Sequence, residues 1–215
     1  MIVVPESRKV ALKPVRCFTH YVHIVCTVNV LLRLAMEKLN VVDEEGNVIG
    51  EETRENIHKQ GLLHKEVHVL FYTPTGELIF QHRAKDKDTY PDLLDVAVGG
   101  HVEIGSDYDE TALQEMKEET GICIEKKDLT LIKIIKSRNI DTVTNTINNS
   151  LRAIYIYRYD GNIKDLRIEK GKSIGFEVWS LEKIQTLSLK DKQRFIVPNI
   201  EGEYREIFKQ IRKMI

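Results

Sequence analysis

The stretch that decides the fold is residues 99–122, GGHVEIGSDYDETALQEMKEETGI, in which a glycine-rich loop runs into an acidic segment. Apolar residues in its second half recur at helical spacing, which predicts a helix within Ser106–Thr120. Asp107 and Glu110 have the spacing of a capping box at the start of this helix. Gly121 is placed to end it, because glycine readily adopts the left-handed conformation of a helix C-terminus.

Three carboxylates fall within about one turn of the predicted helix. Glu115, Glu118 and Glu119 stand at positions i, i+3 and i+4, which are neighbours on a helix surface. Like charges repel there, and a divalent cation would reverse that repulsion. Mg²⁺ prefers such oxygen ligands and leaves positions open for substrate phosphates. The alternative is a solvated acidic helix face, which is the usual role of glutamates taken alone.

The full spacing from Gly100 to Ile122 resembles the Nudix box. That pattern is a glycine, five residues, Glu, seven residues, and then Arg-Glu-apolar-x-Glu-Glu-x-Gly-apolar. The matching positions are Gly100, Glu115, Met116, Glu118, Glu119, Gly121 and Ile122. Two positions depart from it: Ser106 stands where the family has its first Glu, and Gln114 where it has Arg. The resemblance implies an α+β protein with the Nudix fold, an α/β/α sandwich around a mixed β-sheet.

The same resemblance implies a hydrolase that uses Mg²⁺ or Mn²⁺ to direct water at the diphosphate bond of a small nucleoside- or organo-diphosphate. It makes Glu115 and Glu119 the principal metal ligands and Glu118 a further ligand or water-activating base. The Gly100 carbonyl is another implied ligand. Because the neutral residues Ser106 and Gln114 replace an acid–base pair, we expect looser support of the ligands and reduced activity.

Segments outside the box resemble the isopentenyl-diphosphate isomerase-like subgroup of Nudix proteins, namely residues 40–50, 61–64, 87–91 and 99–102. Isomerases of this type carry a catalytic Cys before the Gly-His pair, where this chain has Gly99. Lys172 stands near the position of their acidic partner. Moving a proton on and off a double bond needs two opposed groups. We therefore expect a hydrolase, with an isomerase and a low-activity ligand-binding module as alternatives.

Weaker signals suggest further binding residues. Arg83, Lys87 and Tyr90 follow a predicted strand and are candidates for binding the substrate, although a solvated loop is equally compatible with them. A second metal site is the hypothesis for His64, His68 and His101, because the isomerases use histidines in this neighbourhood; core-edge histidines in strands are the alternative. Trp179 is a candidate for stacking on substrate or for a place in the core.

Hydrophobic alternation predicts the remaining elements. Two β-hairpins are expected at 39–50 and 67–82, each with a turn rich in Gly, Asn or Pro. Later strands are expected at 129–137 and 151–159, with a polar loop at 139–150. A short helix is predicted after Trp179, and a C-terminal helix from the stripe Tyr204, Ile207, Phe208 and Ile211.

Composition limits the remaining possibilities. The chain has 215 residues, 42% of them hydrophobic, and a net charge of −1, which favours one domain and gives no overall field for holding nucleic acid. Its three cysteines lack metal-binding spacing, so we expect a reduced, cytoplasmic protein. Residues 17–36 are fairly apolar, but Arg33 argues against membrane insertion. We expect residues 1–35 to be a disordered or loosely attached extension and 36–215 to be the Nudix domain, with a homodimer as an open option.

Overall fold

A computed structural model describes residues 37–215, and the extension predicted at 1–35 lies outside the described residues. The strands are β1 Lys38–Val42, β2 Val48–Thr53, β3 His64–Tyr72, β4 Glu77–Arg83, β5 Leu94–Val96, β6 Val98–His101, β7 Thr130–Asp141, β8 Thr146–Arg158 and β9 Ser173–Ser180. The α-helices are α1 Arg54–Gln60, α2 Tyr108–Thr120, α3 Leu181–Gln185, α4 Leu189–Lys192 and α5 Glu203–Arg212. Within residues 37–215, no helix has the length and hydropathy needed to cross a membrane.

The larger sheet is mixed, as the sequence predicts. Its central order is β5-β4-β3-β8-β7, with β6 also pairing with β3 and β9 with β4. Strands β3 and β8 run parallel, and the other pairs of this sheet are antiparallel. Strands β1 and β2 form a separate hairpin, which confirms the first predicted one. The second hairpin is confirmed by the pairing of β3 with β4.

Helices cover both faces of the larger sheet. Side chains alternate along β3, so Val67, Val69 and Phe71 face one core and Leu70 faces the other. Helix α2 packs on the first of these faces through apolar side chains of its inner stripe. Helices α3 and α5 pack on the second face, and all four residues of the predicted C-terminal stripe are buried there. The predicted α/β/α layering is therefore confirmed.

The ends of helix α2 follow the local sequence closely. Asp107 accepts a hydrogen bond from the backbone N–H of Glu110, whose side chain in turn accepts one from the Asp107 N–H. Gly121 ends the helix with a φ of 75°, in the left-handed region. The predicted capping box and glycine terminator are both confirmed, and together they fix where the glutamates of α2 lie.

The polar loop predicted at 139–150 is wrong. Strands β7 and β8 continue to Asp141 and from Thr146, so the connection is only residues 142–145. The polar side chains of β8 find partners inside the fold: Asn148 and Ser150 donate to Glu66, and Asn149 donates to the Gly61 carbonyl. Because these long-range hydrogen bonds support the segment, it stays in the sheet despite its low hydropathy.

Glu66 and Arg152 form a buried ion pair between the parallel strands β3 and β8, where they are register partners. Burial disfavours the charged carboxylate, but the Arg152 guanidinium holds the pKa of Glu66 well below its usual range. Arg152 also donates to Asn199 and to the Tyr204 hydroxyl, which ties the C-terminal region to the sheet. Glu66 and Arg152 are thus each held by several hydrogen bonds within the core.

We expect Glu66→Gln to lower the free energy of unfolding by about 3–5 kcal/mol, because it leaves the Arg152 charge buried without its counter-charge. The measurement is urea unfolding at neutral pH. Glu203→Gln, which removes the exposed partner of Lys133, is the matched control and should change stability little. Equal stability of the two variants would show that the buried pair is not needed.

Candidate active site

Glu115 lies against the strand that carries the glycine-rich loop. Helix α2 packs on β6 so closely that a Cβ added to Gly100 would stand 2.1 Å from Glu115 Oε1. A larger residue at 100 would therefore push the carboxylate away. The structure shows that Gly100 makes room for Glu115. The metal-ligand role that the resemblance assigns to the Gly100 carbonyl stays a prediction.

Glu119 is the most buried acid of the helix, with 1% of its surface exposed. Its Oε2 accepts hydrogen bonds from Gln81 Nε2 at 3.0 Å and from the Gly99 N–H at 3.3 Å. Gln81 lies on β4 and is itself buried. These two donors fix the carboxylate, and Gln81 is a positioning residue that the sequence pattern does not reveal.

Glu118 points away from the other two. Its side chain is exposed, and Oε1 accepts a hydrogen bond from Gln114 Nε2 at 3.1 Å. The structure therefore pairs Glu115 with Glu119, which are one full turn apart, and leaves Glu118 on the adjacent solvent face. A direct role for Glu118 as ligand or base stays a prediction.

A loop that precedes β9 completes the acidic site. Lys172 places its Nζ 2.9 Å from Glu115 Oε2 and 2.8 Å from Glu119 Oε1. Glu169 Oε2 lies 3.7 Å from the same Nζ. The site thus holds three carboxylates and one ammonium group. No motif in the sequence points to Glu169, and Lys172 is predicted near the site only by alignment with the isomerases.

Burial dominates the electrostatics of this cluster. It raises the pKa of Glu115 to about 7, with Lys172 opposing the rise and Glu119 adding to it. Burial also raises the pKa of Glu119, again against the effect of Lys172. Burial alone would lower the pKa of Lys172, but Glu119 and Glu115 raise it. Burial therefore disfavours the charged form of these carboxylates, and a nearby cation offsets that effect.

This donor set fits a hard divalent cation. The side chains that converge here offer carboxylate oxygens, which suit Mg²⁺ or Mn²⁺ rather than a thiophilic metal. Glu115 and Glu119 would hold the ion, with Glu169 at the edge of the site. The close approach at Gly100 supports this fit, since it places the Glu115 carboxylate directly on the strand.

Of the candidate substrate-binding residues, Arg83 is the last residue of β4, and Lys87 and Tyr90 lie on the loop that follows it, residues 84–93. Arg83 donates to the carbonyls of Thr89 and Tyr90 and forms an ion pair with Asp95 at 3.2 Å. The guanidinium therefore holds the loop in shape. Tyr90 has a φ of 47° although it precedes a proline, and its N–H donates to Asp141 Oδ2 at 2.7 Å. Such strain persists only where the surroundings enforce it.

Lys87 contributes its charge to a concentrated group of cations. Burial lowers the pKa of Lys87, with Asp88 opposing this, and nearby positive charges lower it further. Those positive charges belong to Arg83, Arg54 and Lys172. Arg54, at the start of α1, also pairs with Asp88 at 3.2 Å and has no counterpart among the residues predicted from sequence. A grouping of cations beside an acidic metal site suits a phosphorylated ligand.

Trp179, by contrast, is buried against Phe195, so the core alternative holds for it.

A second candidate metal site is built from His58, His64 and His101, whose ligand nitrogens lie within 4.8 Å of one another. The predicted trio was wrong in one member: His68 Nδ1 is hydrogen-bonded to the Tyr204 hydroxyl at 2.6 Å, and His58 from α1 joins instead. His64 Nδ1 lies 3.1 Å from the Leu62 carbonyl, which can only accept, so Nδ1 carries the proton. Among residues 37–215, His64 Nε2 is then a buried acceptor without a hydrogen-bond partner.

Burial keeps these imidazoles in the neutral form that binds metals. It lowers the pKa of His58 to about 4, and it lowers the pKa of His64 and of His101 below the ordinary value. Three neutral imidazoles suit a transition-metal ion better than Mg²⁺. The described part of the chain therefore carries two candidate metal sites of different chemistry.

We expect the histidine site to bind Co²⁺, because three imidazole nitrogens already converge there. Replacing His58 with Gln should weaken binding by about tenfold or more, as followed by the visible absorption of bound Co²⁺. His82→Gln is the matched control, since His82 pairs with Asp92 instead. Unchanged Co²⁺ affinity in His58→Gln would contradict a metal site at these three histidines.

Removing the support of Glu119 should weaken the carboxylate site. We expect Gln81→Met to lower Mn²⁺ affinity by about 10–100-fold, the usual effect of losing a group that orients a ligand. The measurement is the decrease in the electron paramagnetic resonance signal of free Mn²⁺. Gln114→Met is the control, because Gln114 contacts Glu118 instead. A larger loss in Gln114→Met than in Gln81→Met would shift the site toward Glu118.

Comparison with known sequences shows which protein family the chain resembles. The family model described as NUDIX domain matches residues 62–199. An uncharacterized Nudix hydrolase of Clostridium acetobutylicum is 31% identical over 175 residues, which is 80% of each chain. Nudix hydrolase 3 of Arabidopsis thaliana is 24% identical over 184 residues, 84% of this chain and 24% of that protein. The match to YfcD of Escherichia coli, at 34% identity over 86 residues, spans about half of that relative, or 48%.

Solved structures agree at the level of the fold. DR0079 from Deinococcus radiodurans superposes with a TM-score of 0.58 at 21% identity, covering 81% of this chain and 98% of that one. The MutT protein from Methanosarcina mazei Go1 gives a TM-score of 0.52 at 18% identity, covering 70% and 96% of the two chains. The sheet and flanking helices are therefore shared with these proteins.

Proposed function

The chain belongs to the Nudix hydrolase family, and we propose that it cleaves the diphosphate bond of a small nucleoside- or organo-diphosphate with Mg²⁺ or Mn²⁺. The observation that carries this proposal is the convergence of Glu115 and Glu119 with Glu169 at one point, beside a group of cations. Acidic ligands for an ion and basic contacts for phosphate are the two requirements of such a reaction.

A bound divalent ion would neutralise charge on the phosphates and favour deprotonation of water. The protein itself orients the ligands: Gln81 and the Gly99 N–H hold Glu119, and Gly100 admits Glu115. This arrangement is built before substrate arrives, so little reorganisation accompanies the reaction.

We assign different tasks to the candidate substrate-binding residues at the end of β4 and on the loop after it. Arg83 is engaged with the loop backbone and Asp95, so it shapes the binding surface. Among the described residues, Lys87 forms one ion pair, with Asp88, at a distance of 3.9 Å. This loose pairing leaves the ammonium group of Lys87 able to approach a phosphate. Tyr90 is positioned by Asp141 to contact the group attached to the diphosphate.

The isomerase-like subgroup remains the finer proposal, and the isomerase reaction itself the second candidate. Three imidazoles near the glycine-rich strand favour the subgroup. Gly99, however, offers no thiol, and Lys172 is a cation paired with carboxylates instead of an acid. Proton transfer on both faces of a double bond therefore lacks its two groups here.

We expect Mg²⁺-dependent phosphate release from at least one member of a panel of nucleoside and organic diphosphates. Glu119→Gln should lower the rate by on the order of 100-fold or more, because it removes a ligand charge at the reacting centre. Glu182→Gln, at an exposed glutamate on α3, is the control and should leave the rate unchanged.

The same panel includes labelled isopentenyl diphosphate. Formation of dimethylallyl diphosphate without hydrolysis would favour the isomerase. Binding of panel members without turnover would favour the ligand-binding module, and turnover that survives both EDTA and Glu119→Gln would contradict the proposed site.

A further inference from the structure

We propose that Lys172 is an internal cation that holds the metal-binding carboxylates together and that the divalent ion must displace. The inference rests on the proposed function, because it concerns the same carboxylates. It assigns a positioning role to a residue that lies outside the Nudix box.

Lys172 uses the particular oxygens that an ion would need. Glu119 Oε2 already accepts from Gln81 and from the Gly99 N–H, so Oε1 is its remaining oxygen. Lys172 Nζ lies 2.8 Å from that Oε1 and 2.9 Å from Glu115 Oε2. The ammonium group therefore sits between the two oxygens through which this pair of glutamates would bind a metal.

An ion and the ammonium group cannot occupy this point together. Mg²⁺ binds carboxylate oxygens at about 2.1 Å, which places it inside the space that Nζ fills. Two cations at such a separation would also repel each other strongly in a partly buried site. Binding through both glutamates thus requires Lys172 to leave.

Lys172 is the member of the cluster that can move. Its side chain is 27% exposed, whereas that of Glu119 is 2% exposed and fixed by two donors. A lysine side chain has four flexible carbons, and it can swing while its charge stays close to Glu169. The Lys172 N–H also donates to the Glu169 carbonyl at 3.1 Å, which fixes the base of the side chain.

The charges suggest why a lysine is placed here. Three carboxylates without a cation would repel one another across a poorly solvated site, and Lys172 offsets one of the three charges. The net charge that remains on the cluster is negative and equals in magnitude the charge of one divalent cation. Lys172 therefore keeps the glutamates in place before metal arrives, at the expense of metal affinity.

The test is Mn²⁺ affinity of the full chain, measured from the resonance signal of free Mn²⁺. Lys172→Met should raise affinity by about tenfold or more, since it removes a competing charge. Lys172→Arg keeps the charge and should not raise it. Lys170→Met removes a neighbouring exposed lysine and is the matched control. Adding Glu119→Gln to Lys172→Met should abolish the gain, which assigns it to this site and not to the histidines.

A second measurement uses the unaltered chain and so does not depend on folding of a variant. Mass spectrometry after brief treatment with an amine-acylating reagent reports how accessible each lysine is. We expect Mn²⁺ to increase modification of Lys172 several-fold relative to Lys170. Unchanged modification at saturating Mn²⁺ would overturn the proposal.

The outcomes separate this inference from the proposed function. If Lys172→Met and the wild-type chain bind Mn²⁺ equally through Glu119 and both hydrolyse diphosphates, the displacement is wrong and the hydrolase stands. If neither protein binds Mn²⁺ through Glu119, the proposed metal site itself fails and the displacement fails with it.

Discussion

The rest of the site depends on how a deeply buried carboxylate is compensated. Glu119 lies in the core between helix α2 and the sheet, where an isolated negative charge would be strongly disfavoured. Gln81, the Gly99 N–H and Lys172 together satisfy it. A buried charge with such compensation is a candidate functional group, and in the proposed reaction it would supply a fixed anionic site for a divalent ion.

Packing then brings the other parts of the site to this carboxylate. The capping box and Gly121 set the limits of α2, and Gly100 lets Glu115 approach β6. Strands β3 and β8 pair in parallel and are joined by the ion pair of Glu66 and Arg152. They belong to the same sheet as the strands that carry Gln81 and Gly99. Rigid secondary structure thus carries Glu115, Glu119 and Gln81, and loops carry Lys87 and Lys172.

Local signals predicted α2 and its ends, both hairpins and the C-terminal helix, because capping, turn chemistry and amphipathic spacing act over a few residues. The prediction of a loop at 139–150 was wrong because Asn148 and Ser150 are stabilised by Glu66, more than 80 positions away. Gln81 and His58 were missed for the same reason, because Gln81 contacts Glu119 and His58 contacts His101, each distant in sequence. Glu169 contacts Lys172, only three positions away, but this pair reaches the glutamates of α2 only through the fold. The Nudix resemblance assigned Glu115 and Glu119 as metal ligands, which stays a prediction, but gave no indication that a lysine lies between them.

The most direct measurement is anomalous diffraction from crystals grown with Mn²⁺. We predict an anomalous peak at coordination distance from Glu119 Oε1 and Glu115 Oε2, with Lys172 turned away from both oxygens. A peak confined to the three histidines, with Lys172 still paired to the glutamates, would contradict the account.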